Sequence, residues 1–282
     1  MQTARNRWSD APRKDANGKI IPVRFVETDF PICALLDPSN TSRDPWSYQY
    51  LPTSYIPLLL GRGTNGCADR CGELFCRPGS YLAQPDQPRN NYRDIIWNIG
   101  KGGIMELRDA GFTIRDTRLR RLPHELMVSL VMASIEYGAK KHNLPAAKAT
   151  FAGDFIPDRA ITLAGRPVFI EADTGTETLE GVNGTNIAEK FEQYLKLITL
   201  RASMVLFVTT RQTRRDSMIA LLRKVIDGAR HDRDLARHFA FSHIEYTRYF
   251  NKIPKLTDWA IASDYQRASN KHGPFNFLRK EE

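Results

Sequence analysis

Two β-rich runs flanking Ala164-Gly165 constrain this chain more than any other feature. RAITL (159–163) precedes the pair, and Arg166 then PVFIEAD (167–173) follow it. Short β-prone runs around a two-residue, glycine-bearing link predict a hairpin. With Ala164 and Gly165 as the turn, Leu163 pairs with Arg166, and the register carries Asp158 opposite Glu171. Directly opposed residues share a face, with Cβ atoms about 5 Å apart. Asp173, two residues beyond Glu171, shares that face as well. Three carboxylates at one strand end are unfavourable unless a cation offsets them, and oxygen ligands of this kind suit Mg²⁺ or Mn²⁺. Three readings stand open. The strand end is a metal site that cuts phosphodiester bonds, the remains of one, or an ordinary polar terminus.

The surrounding pattern predicts a mixed domain over 123–255. A helix opens at Pro123-His124-Glu125, and Leu126, Leu130, Ala133 and Tyr137 fall on one face. Strands are expected at 150–156, 159–163 and 167–173, then a helix at 186–200 and an apolar strand at 204–210. A helix at 212–228 and a strand at 239–246 follow, with a helical or irregular basic tail over 256–282. The order α-β-β-β-α-β-α-β belongs to the α+β or α/β class, with crossover helices later in the chain.

The N-terminal half reads differently. Residues 1–22 read as a flexible basic arm, and 23–112 as a compact unit of short helices. Helices are expected at 29–36, with Asp29 as cap, at 51–60, and at 67–75 after the turn GRGTNG. Strands at 81–84 and 95–99 flank a polar tip, and a helix at 101–110 closes at Gly111. Helix, helix, helix, hairpin, helix resembles a winged helix-turn-helix. Arg70 and Arg77 on the presumed recognition helix, and Arg89 and Arg93 in the wing, are then the DNA contacts. A docking surface for protein is the alternative, since such modules serve both ends. Residues 113–122 carry four arginines and read as a basic linker.

Composition narrows the partners. Lysine and arginine exceed aspartate and glutamate by 41 to 32, a net charge of +9, which favours a polyanion such as double-stranded DNA. No apolar run approaches the roughly 20 residues that span a bilayer, and the polar start lacks a secretory core, so a cytoplasmic protein without membrane contact is expected. Cys33, Cys67, Cys71 and Cys76 include no CxxC pair and no nearby histidine, so they are expected as reduced thiols and no zinc is expected.

Two resemblances rest on these residues. The predicted order, with Pro157-Asp158 on one strand and Glu171-Ala172-Asp173 on the next, resembles the restriction-endonuclease-like core of the PD-(D/E)xK nucleases. That resemblance implies Mg²⁺ or Mn²⁺ held by Asp158, Glu171 and Asp173, with metal-assisted cleavage of DNA. The usual lysine is replaced by Asp173. Lys190 on the next helix then takes its place as a fourth catalytic residue. A winged helix, the helix-start His124, the segment Glu171-x-Asp173-x-Gly175-Thr176-Glu177 and Lys190-x-x-x-Tyr194 together resemble the replication-relaxation family of plasmids and mobile elements. The resemblance implies a role in replication, relaxation or mobilisation, with other proteins of those processes as further partners, and it leaves a homodimer open. His124 is implied to line the site. Arg211, Arg214 and Arg215, clustered at a helix start, are additional DNA contacts. The alternative is a non-catalytic DNA-binding regulator or adaptor that keeps a degenerate nuclease fold.

Overall fold

The computed structural model describes residues 29–36, 48–53, 55–61, 64–75, 81–84, 95–111, 122–141, 143–149, 156–175, 177–180, 186–200, 203–229, 231, 233–243 and 260–261. The chain divides into two compact units, Met1–Leu122 and Pro123–Glu282. The protein is of mixed α and β composition, and no described helix is long and apolar enough to cross a membrane.

The first unit holds α1 (Phe30–Leu35), β1 (Leu51–Pro52), α2 (Tyr55–Leu60), α3 (Thr64–Phe75), β2 (Leu82–Ala83), β3 (Ile96–Ile99) and α4 (Lys101–Asp109). Its three strands form an antiparallel sheet in the order β1-β3-β2. The expected helix over 51–60 starts later than the sequence pattern indicates. Leu51 precedes Pro52, which disfavours helical backbone, and proline is tolerated in an edge strand. Both residues pair with β3 instead, Leu51 with Trp97. Thr53 locks the junction. Its backbone N–H and its hydroxyl both donate to the Ile95 carbonyl, at 2.9 and 3.1 Å, and it accepts from the Trp97 indole at 2.7 Å. Conversely, α3 reaches back to Thr64, inside the segment read as a turn. Cys33, Cys67 and Cys71 are buried and not joined in a disulfide; Cys76 lies outside the described residues.

Gly103 in α4 packs close against neighbouring backbone. A Cβ there would lie 2.5 Å from the Tyr81 carbonyl oxygen and 3.0 Å from Ile99 Cγ1. Alanine gains about 1 kcal/mol in helix propensity over glycine, but overpacking against fixed backbone costs about 1–3 kcal/mol. Gly103→Ala is therefore expected to lower the unfolding free energy. Gly66→Ala in α3 meets nothing within 4 Å and is expected to raise it. Urea unfolding of the two variants checks the contrast.

The second unit opens with all but the first residue of α5 (Leu122–Lys141). It continues through β4 (Ala146–Lys148), β5 (Arg159–Leu163), β6 (Arg166–Asp173), α6 (Ile187–Leu200), β7 (Met204–Thr209) and α7 (Gln212–Gly228). A 3-10 helix (Arg233–His238), β8 (Phe239–His243) and β9 (Ala260–Ile261) complete it. The six strands form one sheet in sequence order. Pairs β4–β5, β5–β6 and β8–β9 are antiparallel; β6–β7 and β7–β8 are parallel and joined through α6 and α7. Every residue of β7, MVLFVT, is buried, the continuous apolar run expected of a central parallel strand.

The hairpin register follows the turn. Leu163 pairs with Arg166 and Arg159 with Ile170, and both Ala164 (φ 48°) and Gly165 (φ 79°) adopt the left-handed backbone of a two-residue hairpin link. The strand expected at 150–156 lies almost wholly outside the described residues, and the sheet's first described strand falls before it. That strand occupies Ala146–Lys148, and Ile156 is not in a strand. The tail contributes Ala260–Ile261 as a short antiparallel strand, and β8 is described to His243. The core lies where α6 and α7 pack on the sheet, through Phe191, Tyr194, Leu195, Phe207, Met218, Leu222, Phe239 and Phe241 among others.

Candidate functional site

β6 presents Glu171 and Asp173 on one face, since side chains alternate along a strand; both residues are 3% exposed. The hairpin register brings Asp158, just before β5, alongside them, and its Oδ2 accepts the Ala172 N–H at 2.8 Å. On α6, Lys190 and Tyr194 are four residues apart and share a helix face. Both reach Glu171: Lys190 Nζ donates to Oε2 at 2.9 Å and the Tyr194 hydroxyl to Oε1 at 2.7 Å. The beginning of α6 is capped by the Asn186 side chain: Glu189 N–H donates to Asn186 Oδ1 at 2.9 Å and Asn186 Nδ2 donates to Glu189 Oε1 at 3.1 Å.

A second cation enters from α5. His124 Nε2 lies 3.2 Å from Asp158 Oδ2, and its Nδ1 lies 3.5 Å from Glu125 Oε1. Glu125 is buried and also meets Arg159 Nη2 at 3.6 Å, while Arg159 Nη1 donates to the Asp158 carbonyl at 2.8 Å. The imidazole thus sits between two carboxylates.

Electrostatics follow from this packing. Burial pushes the Glu171 carboxyl up, and the Asp158 charge adds to the effect; the Lys190 charge and the Tyr194 hydrogen bond pull against it, leaving the group at about 7. Burial would raise Asp158 too, but the His124 hydrogen bond and charge outweigh it and hold the carboxyl below its ordinary value. Hydrogen bonds to Asp158 and then Glu125 raise His124 to about 10. Lys190 is disfavoured by burial, yet the Glu171 and Glu177 carboxylates hold it above the usual lysine range. Burial and the Glu171 charge lift the Tyr194 hydroxyl well above its ordinary value.

The structure brings Asp158, Glu171 and Lys190 together. Asp173 shares the strand face but is engaged elsewhere. Arg214 Nε donates to its Oδ2 at 2.7 Å, the Thr209 hydroxyl donates to the same atom at 3.4 Å, and Gly175 N–H donates to Oδ1 at 2.9 Å. Among the described residues, no group of three or more His, Cys, Asp or Glu side chains is arranged to hold a metal ion. Asp158 Oδ2, both Glu171 oxygens and both Asp173 oxygens carry N–H, O–H or ammonium donors in this arrangement, where Mg²⁺ or Mn²⁺ would need open oxygen ligands.

The arginines divide. Arg70 on α3 is ion-paired to Asp29 and, at 2.7 Å, to Glu73. Arg77, Arg89 and Arg93 lie outside the described residues. At the start of α7, Arg211 is exposed, Arg215 pairs with Asp216 at 2.8 Å, and Arg214 turns inward to Asp173. Sequence reasoning passed over Glu177, whose Oε1 accepts from Lys190 at 3.0 Å, and Glu125. Glu177 was signalled only as the last letter of the Glu171–Glu177 segment.

A mixed α/β protein with a buried carboxylate and lysine at a strand end is the class these features define. A family model described as replication-relaxation matches residues 64–204, half of the chain, from α3 of the first unit to the start of β7. The chain belongs to the replication-relaxation family, which points to a role in the replication or relaxation of a plasmid or other mobile element. No curated protein and no solved structure matches the chain.

Proposed function

We propose that this protein binds double-stranded DNA of a plasmid or other mobile element and acts in its replication, relaxation or mobilisation. The observation that carries the reading is the order α1-β1-α2-α3-β2-β3, with β1 added to the β2–β3 pair, which supports a winged helix. The net charge of +9 supports it. The order α5-β4-β5-β6-α6-β7 in the second unit supports a nuclease-like core after it in the chain. Exposed Arg211, together with Arg77, Arg89 and Arg93, is the set of phosphate contacts this reading uses.

Fluorescence anisotropy with labelled duplex, across a salt series, tests it. Each neutralised phosphate contributes about −0.9 to the slope of log affinity against log salt, and Arg211→Ala is expected to flatten that slope by about one contact. Salt-insensitive binding, or no binding to any duplex, sinks the reading.

A second reading, strand nicking, is favoured by one observation: Lys190 on Glu171. A carboxylate held near 7 is matched to accepting a proton from water near neutral pH, and an adjacent ammonium offsets charge on a phosphate. Supercoiled plasmid incubated with Mg²⁺, Mn²⁺ or chelator separates the readings. Nicking lost in Glu171→Gln supports catalysis. No nicking in any condition leaves a DNA-binding protein with a non-catalytic site.

A further inference from the structure

We infer that Arg214 is a positioning residue: through Asp173 and the loop after β6, it holds Glu177 against Lys190. The inference rests on reading Lys190 as the working cation of the site. Asp173 stands where the nuclease motif carries lysine, and both of its oxygens are engaged by the donors described above. Arg214 comes from the first turn of α7, 41 residues away, and is 19% exposed. Its guanidinium reaches two acceptors at once, Asp173 Oδ2 through Nε and the Glu177 carbonyl through Nη2. A planar fork with fixed donors is suited to such a bridge; a lysine ammonium on a flexible stem is not.

The loop is pinned again further on. The Thr178 and Leu179 carbonyls accept the Ile187 and Ala188 N–H groups, both at 3.1 Å, at the start of α6. The Glu177 backbone is therefore held from α7 before it and from α6 after it. Its carboxylate has little support of its own. Oε1 meets Lys190 at 3.0 Å, and Oε2 is buried with no hydrogen-bond partner among the described residues. The backbone clamp, rather than a side-chain network, sets where that carboxylate stands. Lys190 Nζ is consequently fixed between Glu171 on the sheet and Glu177 on the loop, and its direction is defined by two carboxylates instead of one.

Arg214→Lys is the informative variant, because it keeps a cation beside buried Asp173 and so preserves the fold while removing the second arm. The readout is the side-chain ammonium signal of Lys190 in ¹⁵N-lysine-labelled full-length protein without DNA, assigned by its loss in Lys190→Arg. The expected result is a shift and a loss of exchange protection in Arg214→Lys. Glu177→Gln should show the same change, and the double variant no further change; Arg211→Lys should leave the signal where it is. Thermal unfolding of Arg214→Lys should stay close to that of the parent. An unchanged Lys190 signal in either Arg214→Lys or Glu177→Gln overturns the inference. Because no DNA is present, failure of binding or nicking leaves this result readable, and its failure leaves those assays standing.

Discussion

Phe191→Ala is expected to lower the unfolding free energy by about 3–5 kcal/mol, the cost of deleting a large aromatic from a core that cannot fully collapse around the void. Phe191 on α6 is fully buried. Its ring meets Phe207 of β7 edge-on at 5.0 Å, and Phe239 and Phe241 of β8 at 5.8 and 6.0 Å. These tilted pairings are the arrangement that ring quadrupoles favour, and each adds to simple burial. One side chain thereby seats the crossover helix on two neighbouring parallel strands. Glu192→Ala, one residue on and exposed, should stay within about 0.5 kcal/mol. Chemical unfolding of the two variants decides the matter. A loss below about 1 kcal/mol at Phe191 would mean that α6 does not rest on β7 and β8 as described.

The same segment shows why part of the fold could be read in advance. Helix α6, the apolar run of β7 and helix α7 each carry their own signal: a 3.6-residue period or an unbroken buried strand. Ala164-Gly165 sets the hairpin register because a two-residue link leaves little choice. The strands that escaped sequence reading are β1, β4 and β9, and all three lie at sheet edges. Leu51–Pro52, Ala146–Lys148 and Ala260–Ile261 pair on one side only and are two or three residues long. A strand so short has no alternation to display. Its conformation is decided by the neighbour it joins, which no local pattern records.

The site divides along the same line. Strand alternation and the hairpin count put Asp158, Glu171 and Asp173 at one end of the sheet, and helical spacing puts Lys190 with Tyr194. What these rules cannot supply is the compensating charge. His124 reaches Asp158 from α5, and Arg214 reaches Asp173 from α7; nothing near Asp158 or Asp173 in sequence announces either. Three carboxylates on one face repel one another unless cations offset them. In the folded chain each carboxylate has a protein cation of its own, and Asp173 serves Arg214 rather than Lys190. The alternation rule says where side chains point, and only the tertiary fold says what they meet.

Lys190→Met should destabilise the protein in a pH-dependent way, by about 1 kcal/mol near pH 5.5 and about 3 kcal/mol or more near pH 8.5, because a buried charge left without its partner costs about 3–5 kcal/mol. The Lys190 side chain is 17% exposed and that of Glu171 4%. Without the ammonium, Glu171 keeps only the Tyr194 hydroxyl, and it can avoid an uncompensated charge by holding a proton. In the parent its folded pKa is about 7, above the ordinary 4.5. The folded state then binds the proton more tightly than the unfolded one, so this group favours folding at low pH, and its contribution falls as pH rises from about 4.5 to about 7. Removing Lys190 removes the largest influence that lowers Glu171, so the fall extends above 7 in the variant. His124, raised to about 10, contributes a separate fall from about 6.5 upward, but it does so in both proteins and cancels in the difference. Lys190 itself stays charged across this range, since its neighbours hold it above the usual lysine value. Lys190→Met combined with Glu171→Gln removes both charges and should recover much of the loss at pH 8.5, because a neutral pair leaves nothing uncompensated. Urea unfolding of the three proteins at the two pH values measures the gap. A gap that does not change with pH would mean that Lys190 supports α6 through its packing alone, and that the ion pair with Glu171 is not what holds this end of the sheet together.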